Sequence, residues 1–440
     1  MNRGTLPVAV IGAGPIGLAA ASHLVTRGET PLVLEAGPAA GASVLKWGHV
    51  RLFTPWRYLV DAAAASLLRR SGWETPAPES LPTGRELVEG YLTPLAALPQ
   101  LQPHIRLHSR VTAVTRKGFD KMKTAGREDA PFEVTVCVGG REQRLLARAV
   151  IDASGTYERP NPLGSGGVAA AGERELAARI LYGIPDVLGA QRQRYAGRRV
   201  LVVGSGHSAF NALLDLAELA QGAPGTEIIW AVRRTRVDTL FGGEKGDALP
   251  ARGELGLRLR RLVQEEAVRL VTGFQIESLA AAKGHVTVAA ERQTLTGIDE
   301  IIATTGFRPD LSLTGELRLA LDPIVESTPA LAPLIDPNVH SCGTVPPHGA
   351  EELKHPEKDV YTVGMKSYGR APTFLMLTGY EQVRSVVSAI SGDFEDARAV
   401  QLELPETGVC SSGIGGSSCC EPAGAYGTEF QALPLLEVKG

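Results

Sequence analysis

The chain of 440 residues has only 5 cysteines, 5% aromatic residues and almost no excess of either charge, with 45 Lys and Arg against 48 Asp and Glu. Each shortage excludes something. A net charge of −3 leaves no basic face for nucleic acid or an anionic membrane. An odd handful of cysteines is no disulfide framework for so long a chain and suits a reducing cytosol. Uninterrupted apolar runs of about 20 residues are missing, so no membrane span is expected. The apolar stretch from Leu6 to Val25 is broken by glycines and a proline, and no Ala-x-Ala site separates it from the next strand, so it does not read as a signal peptide. The 50 glycines and 29 prolines make up about 18% of the chain, below the roughly 25–30% that marks disorder. A soluble, cytoplasmic protein of two or three compact units is expected, with a small-molecule substrate as partner and a homodimer permitted.

One pattern occurs twice. Pro7 to Ile11 reads as a buried strand, Gly12-Ala-Gly14-Pro15-Ile-Gly17 as a tight turn opening a helix to about Arg27, and Pro31 to Leu34 as a second strand ending in Glu35. Glu35 follows Gly12 by 23 residues, which completes a dinucleotide-binding fingerprint. Gly12 makes the turn, Gly14 lets the backbone approach a pyrophosphate, and Gly17 lets helix and strand pack closely. The helix N-terminus faces the phosphates, and Glu35 is placed for ribose hydroxyls.

The pattern returns 192 residues later. Arg199 to Val203 is followed by Gly204-Ser-Gly206-His207-Ser208, a helix to about Gln221, and a strand from Glu227 to Val232. Here the strand ends in Arg233-Arg234. A carboxylate would repel a ribose 2′-phosphate, whereas guanidiniums clamp it, so the second site is expected to take NADPH. Two further strands running into small-residue turns, Ala149 to Gly155 and Glu300 to Gly306, close the two units. Apolar alternation predicts a meander with strands at Ile105–Val114, Phe132–Val138 and Gln143–Ala147 before the first, and strands at Val268–Ile276 and His285–Ala290 before the second.

These residues resemble the two-dinucleotide-binding-domain flavoproteins, the superfamily of thioredoxin reductase and the flavin-containing monooxygenases. The resemblance implies an α/β fold with two Rossmann-like domains, the NADPH domain inserted in the FAD domain. The expected boundaries are 1–163 and 305–400 for FAD, 164–304 for NADPH, and 401–440 for a flexible tail. Gly164-Ser-Gly-Gly167 and Phe307-Arg-Pro309 are expected as hinges. It also implies a third FAD element, a strand ending in Gly-Asp. The matching run here, Asp359 to Gly364, is followed by Met365, so Lys366, Ser367 or backbone amides are expected to take over that contact. A helix from about Phe374 to Ile390 then points its N-terminus at the flavin.

The reaction class depends on what stands beside the flavin. No two cysteines before Cys410 are closer in sequence than Cys137 and Cys342, so the dithiol of the disulfide reductases is missing. Gly41 to Trp47, and Arg51 to Trp56 after it, resemble the monooxygenase group and put Trp47 among the cofactor-side candidates. The Phe-x-Gly-x3-His fingerprint of typical flavin monooxygenases is absent, since no histidine lies between His108 and His207, which points to a divergent branch. The loop carrying Cys342 and His348 has two readings: a thiol or soft-metal ligand with a basic partner near the flavin, or a proline-stiffened loop with a buried Cys and a hydrogen-bonded His. The tail carries Cys410, Cys419 and Cys420 in a Gly/Ser-rich setting, three thiols that can surround a soft ion such as trivalent arsenic. Together with Lys366 to Pro372 it resembles the flavin monooxygenase-like proteins of bacterial arsenic-resistance clusters. The expectation is an FAD- and NADPH-dependent oxidoreductase of monooxygenase type acting on a small soft substrate, with a metalloid- or thiol-binding reductase that passes electrons to a partner as the alternative.

Overall fold

The structure is a computed structural model that describes residues 5–237, 240–241, 250–338, 345–372 and 374–402. Cys342, Cys410, Cys419 and Cys420 lie outside the described residues. Four-residue strands with every side chain buried set the architecture. In chain order the strands are β1 (Val8–Ile11), β2 (Pro31–Leu34), β3 (Ile105–Arg106), β4 (Arg110–Arg116), β5 (Phe132–Val138), β6 (Arg141–Ala147) and β7 (Ala149–Asp152). There follow β8 (Ile180–Tyr182), β9 (Arg199–Val203), β10 (Glu227–Ala231), β11 (Arg269–Val271), β12 (Ile276–Ala282), β13 (His285–Ala290), β14 (Thr294–Ile298), β15 (Glu300–Ala303) and β16 (Val360–Thr362).

They form two parallel five-stranded sheets, ordered β16-β7-β1-β2-β3 and β11-β10-β9-β15-β8, and two antiparallel three-stranded meanders, β4-β5-β6 and β12-β13-β14. Continuously apolar strands such as Val8-Ala-Val-Ile11 are what a parallel sheet covered on both faces requires. The first sheet takes its last strand from beyond the whole second sheet, so the second is threaded between β7 and β16. Two Rossmann-like parallel sheets with appended meanders are the α/β fold expected from the paired fingerprints.

The alternation of apolar residues misplaces two strand ends in the same way. The continuous strand expected over Ile105–Val114 is split: β3 joins the parallel sheet beside β2, while β4 pairs antiparallel with β5. The break falls at His108, whose φ is 52°, a left-handed conformation that interrupts a strand. Val268–Ile276 splits likewise into β11 and β12 at Gly273, with φ 65°. Each turn moves the chain from a parallel sheet edge into its meander.

The chain passes between the two units along a pair of adjacent segments. Pro160 bridges Phe307, Asn161 N–H donates to the Gly306 carbonyl, and Tyr157 stacks on Phe307 with ring centroids 4.7 Å apart. The crossing therefore lies a few residues before Gly164–Gly167, which is itself held against β12 by Ser165 N–H donating to the Ile276 carbonyl.

A buried ion cluster fixes the approach to β16. Glu357 accepts from Arg116 Nε at 2.8 Å and Arg127 Nη2 at 2.8 Å, and all three side chains are at most 2% exposed. Arg116 also lies 3.6 Å over the Phe132 ring. Among the described residues no helix is long and apolar enough to cross a membrane, and no group of three His, Cys, Asp or Glu side chains could hold a metal ion.

Candidate functional site

The first glycine turn is built where β1 ends. Gly12 has φ 99°, and a methyl group there would stand 2.9 Å from the Ala153 carbonyl oxygen, so only glycine fits between the turn and the end of β7. Gly17 lies on Gly12 so closely that its Cβ would fall 1.9 Å from the Gly12 oxygen. Gly14 differs: a Cβ there meets no protein atom within 4 Å. Its open side leaves room for the close approach of a ligand. The helix that follows, Pro15–Thr26, has Pro15 in its first turn, Gly14 at its N-cap, no side-chain cap and no acid in the first turn. Its free N–H groups and positive dipole end are left for an anion.

Leu34 sits opposite Ile11 in the parallel ladder, which brings Glu35 beside the turn. Its carboxylate accepts from Ala13 N–H and from Gly37 N–H, each at 2.7 Å. Glu35 thus shapes the loop as well as offering remaining lone pairs to a ribose. The Ala153-Ser-Gly155 turn closes the opposite wall, with Gly155 at φ 69° and open space on its Cβ side.

The third element meets this turn from behind. Gly364, with φ 69°, backs onto Ile16 of the first helix, where a Cβ would lie 3.1 Å from Ile16 Cγ1. Lys366 does not extend outward. Its ammonium is buried and donates to Asp152 Oδ2 at 2.6 Å and Ser154 Oγ at 3.0 Å. Ser367 is consumed internally, donating to the Gly364 carbonyl and accepting from Gln382 Nε2.

The helix expected from Phe374 begins at Met376 and runs to Ile390, again without a side-chain cap or a first-turn acid. A Cβ on Gly379 would lie 2.5 Å from Ile16 Cδ1, so two uncapped helix starts stand side by side at the end of the first sheet. The ring of Trp47 covers Gly84, whose Cβ would sit 2.9 Å from the indole.

The second turn repeats the first. Gly204, with φ 129°, is pressed on Thr304, whose backbone oxygen would be 2.5 Å from a Cβ, while Gly206 has nothing within 4 Å. The helix His207–Gln221 follows, its N-cap Gly206 without a side-chain bond and its first turn without an acid. Ser208 lies in this first turn, and His207 packs against Phe53, ring centroids 5.4 Å apart. Phe53 belongs to the segment after Trp47, so the first unit reaches over the start of the second unit's helix.

Ala231 pairs with Val203, so Arg233 and Arg234 emerge at the same sheet end as Gly204 and Gly206. Arg233 is exposed and donates to the Ser165 carbonyl at 3.4 Å. Gly306 lies where the chain crosses between the two units, its carbonyl receiving Asn161 N–H.

His348 is 3% exposed. Its Nδ1–H donates to the Pro346 carbonyl at 3.0 Å, and its Nε2 accepts from Gln382 Nε2 at 2.8 Å. Burial holds its pKa below the ordinary histidine value. Both ring nitrogens are occupied, an arrangement that favours the hydrogen-bonded reading of this loop over a base for a thiol. Cys137, the one cysteine among the described residues, sits on β5 in the meander.

Sequence reasoning missed Asp152, Ser154 and Gln382. Asp152 carried a signal, being the acid in an otherwise apolar strand, but nothing in the pattern links it to Lys366 across 214 residues.

Both cradles therefore fit dinucleotides: a glycine whose missing Cβ leaves room for a pyrophosphate, an uncapped acid-free helix start, and at the following strand end an acid in one case and two arginines in the other. Residues 9–341 match the pyridine nucleotide-disulphide oxidoreductase family. The chain is 27% identical over 329 residues to a ferredoxin–NADP reductase of Salinispora arenicola, spanning 74% of this chain and 82% of that one. In fold it is similar to the bacillithiol disulfide reductase of Bacillus cereus, with a TM-score of 0.64 at 18% identity over 88% of this chain and 99% of the other. It is also similar to the cadaverine monooxygenase of desferrioxamine biosynthesis from Erwinia amylovora, with a TM-score of 0.61 at 14% identity over 94% and 99%. With the glycine cradles and the matched length taken together, the chain belongs to the pyridine nucleotide-disulphide oxidoreductase family and is an FAD- and NAD(P)H-dependent oxidoreductase.

Proposed function

We propose that the chain is an NADPH-dependent flavoprotein of monooxygenase type, with FAD in the cradle of Gly12, Gly14, Gly17 and Glu35 and NADPH in that of Gly204, Gly206, Arg233 and Arg234. The observation that carries NADPH is the arginine pair two residues beyond β10, level with an uncapped helix start that has no acid in its first turn. Guanidiniums there bind a 2′-phosphate in charge-assisted fashion. FAD, once bound, supplies acceptance of the nicotinamide hydride and reaction of the reduced ring with oxygen. The protein groups hold the two nucleotides: Gly14 and Gly206 admit their pyrophosphates, the helix starts at Pro15 and His207 face the phosphate charge, and Glu35 fixes the first loop.

A disulfide substrate is disfavoured because Cys137 is the lone cysteine among the described residues and lies on the meander. A small soft substrate, an arsenical in the first instance, is favoured by the three tail thiols Cys410, Cys419 and Cys420. The experiment is simultaneous measurement of NADPH oxidation and oxygen uptake with and without a trivalent arsenical, in the full chain and after truncation behind Glu406. One oxygen and one NADPH consumed per oxidised arsenical, with binding of the arsenical lost on truncation, is the expected result.

The 27% identity to a ferredoxin–NADP reductase favours a second reading, a reductase that hands electrons to a protein partner. Under that reading NADPH oxidation accelerates with ferredoxin and proceeds without oxygen.

A further inference from the structure

Two units joined by a pair of adjacent crossing segments turn against one another unless contacts away from the crossing hold them. The stack of Tyr157 on Phe307 and the hydrogen bond from Asn161 to Gly306 lie on the crossing itself, so they leave such a rotation open. A segment of the first unit supplies a contact elsewhere.

This segment runs from one cradle to the other. Gly41 N–H donates to the Ala13 carbonyl at 2.9 Å, inside the first glycine turn. Further along, the Phe53 ring meets the His207 ring with centroids 5.4 Å apart and planes at 54°, within the range that aromatic pairs favour. His207 is the first residue of the second unit's cradle helix. His49 faces the Pro185 backbone and the Asp186 carboxylate of the second unit, and its Nε2 is buried with no hydrogen-bond partner among the described residues. The segment therefore touches the second unit twice, at the turn after β8 and at the helix start.

Backbone pairing stiffens it. Arg85 N–H donates to the Gly48 carbonyl at 2.8 Å, Gly84 N–H to the Val50 carbonyl at 2.9 Å, and Leu52 N–H to the Pro82 carbonyl at 2.8 Å. Phe53 follows directly on this fastened run. Its ring is not part of the apolar core of either unit among the described residues, so core packing does not account for its position.

We propose that Phe53 is a positioning residue for hydride transfer: through His207 it locks the second unit in the orientation that brings the nicotinamide to the flavin. The inference rests on FAD in the first cradle and the nicotinamide nucleotide in the second. Hydride transfer needs the reacting atoms about 3–3.5 Å apart. With the two nucleotides in different units, the angle between the units sets that distance.

The test compares the flavin-loaded full chain with Phe53→Ala, Phe53→Tyr, the double variant His49→Ala/Phe53→Ala, and Gly206→Ala. Anaerobic stopped-flow gives the limiting rate of flavin reduction and the NADPH dissociation constant. Small-angle X-ray scattering without nucleotide gives the pair-distance distribution. Phe53→Ala is expected to keep its flavin and its NADPH dissociation constant, but to be reduced about ten- to a hundredfold more slowly at saturating NADPH, the range for misplaced reacting groups. Phe53→Tyr, which keeps the ring, is expected to be reduced at the native rate, and the double variant to show a broader distance distribution. A native limiting rate in Phe53→Ala overturns the proposal, and so does a faster one, which would mean that the units must turn past this contact before hydride transfer. An unchanged distance distribution in the double variant, or loss of flavin from Phe53→Ala, also overturns it. Native reduction of Gly206→Ala would instead overturn the placement of NADPH in the second cradle.

Discussion

Glu35 and Ala13 face each other across the first nucleotide turn, the carboxylate accepting the Ala13 amide at 2.7 Å while its other oxygen accepts Gly37 N–H. One side chain at the end of β2 therefore holds the glycine loop after β1 in its ligand-ready form. Glu35→Ala removes both bonds from a residue only 9% exposed. With hydrogen bonds to charged groups contributing about 1.5–3 kcal/mol each, the variant is expected to be purified with little flavin and to melt several degrees lower. The ratio of flavin to protein absorbance after gel filtration reads the first effect, and an unchanged ratio would contradict the role given to Glu35.

Gly14 and Gly206 offer a cleaner comparison, because an added methyl group meets no protein atom within 4 Å at either. Neither alanine variant should disturb the fold, so any loss reports on the ligand's space. Gly14→Ala is expected to lose FAD. Gly206→Ala is expected to stay yellow and to be reduced slowly by NADPH. Flavin content and anaerobic reduction rates separate the two, and the opposite pattern would reverse the order of the two cofactors along the chain.

The cradles were legible in the sequence because strand, glycines, helix and terminal Glu35 or Arg233 occur in one short register, and local backbone geometry dictates each residue type. The strand breaks at His108 and Gly273 were not. Apolar residues continue through both, and His108 adopts φ 52° without being a glycine. Long-range pairings were the least legible part. The partners of Lys366 are Asp152 and Ser154, and that of His348 is Gln382; such pairs depend on how β7, β16 and the Met376–Ile390 helix assemble, which no local pattern encodes. The arginines after β10 could be read because their position relative to Gly204 is fixed by the parallel ladder.

Acid should destabilise the protein through His355. The residue is 8% exposed, and burial, only partly opposed by the Ala320 backbone, pushes its pKa down to about 4. Unfolded, the ring titrates near 6.5. Above about pH 6.5 both states are neutral and the contribution is complete. As pH falls from 6.5 toward 4 the unfolded chain takes up a proton that the folded one refuses, so stability is lost at roughly 1.4 kcal/mol per pH unit. Denaturant unfolding at pH 7.5 and pH 5 is expected to differ by about 2 kcal/mol from this group, and His355→Gln is expected to reduce that difference. An equal loss in native and variant protein would exclude His355 as its source.

Under the proposed function, electrons enter bound FAD from a nicotinamide nucleotide recognised by its 2′-phosphate. Anaerobic stopped-flow bleaching of the flavin, with NADPH and with NADH, on native protein and Arg233→Ala, measures it directly. Native protein is expected to be reduced far more efficiently by NADPH. A lost charge-assisted contact contributes about 1.5–3 kcal/mol, so Arg233→Ala should cut NADPH efficiency roughly ten- to a hundredfold and leave NADH nearly unchanged. Equal reduction of the native flavin by NADPH and NADH would contradict recognition of the 2′-phosphate.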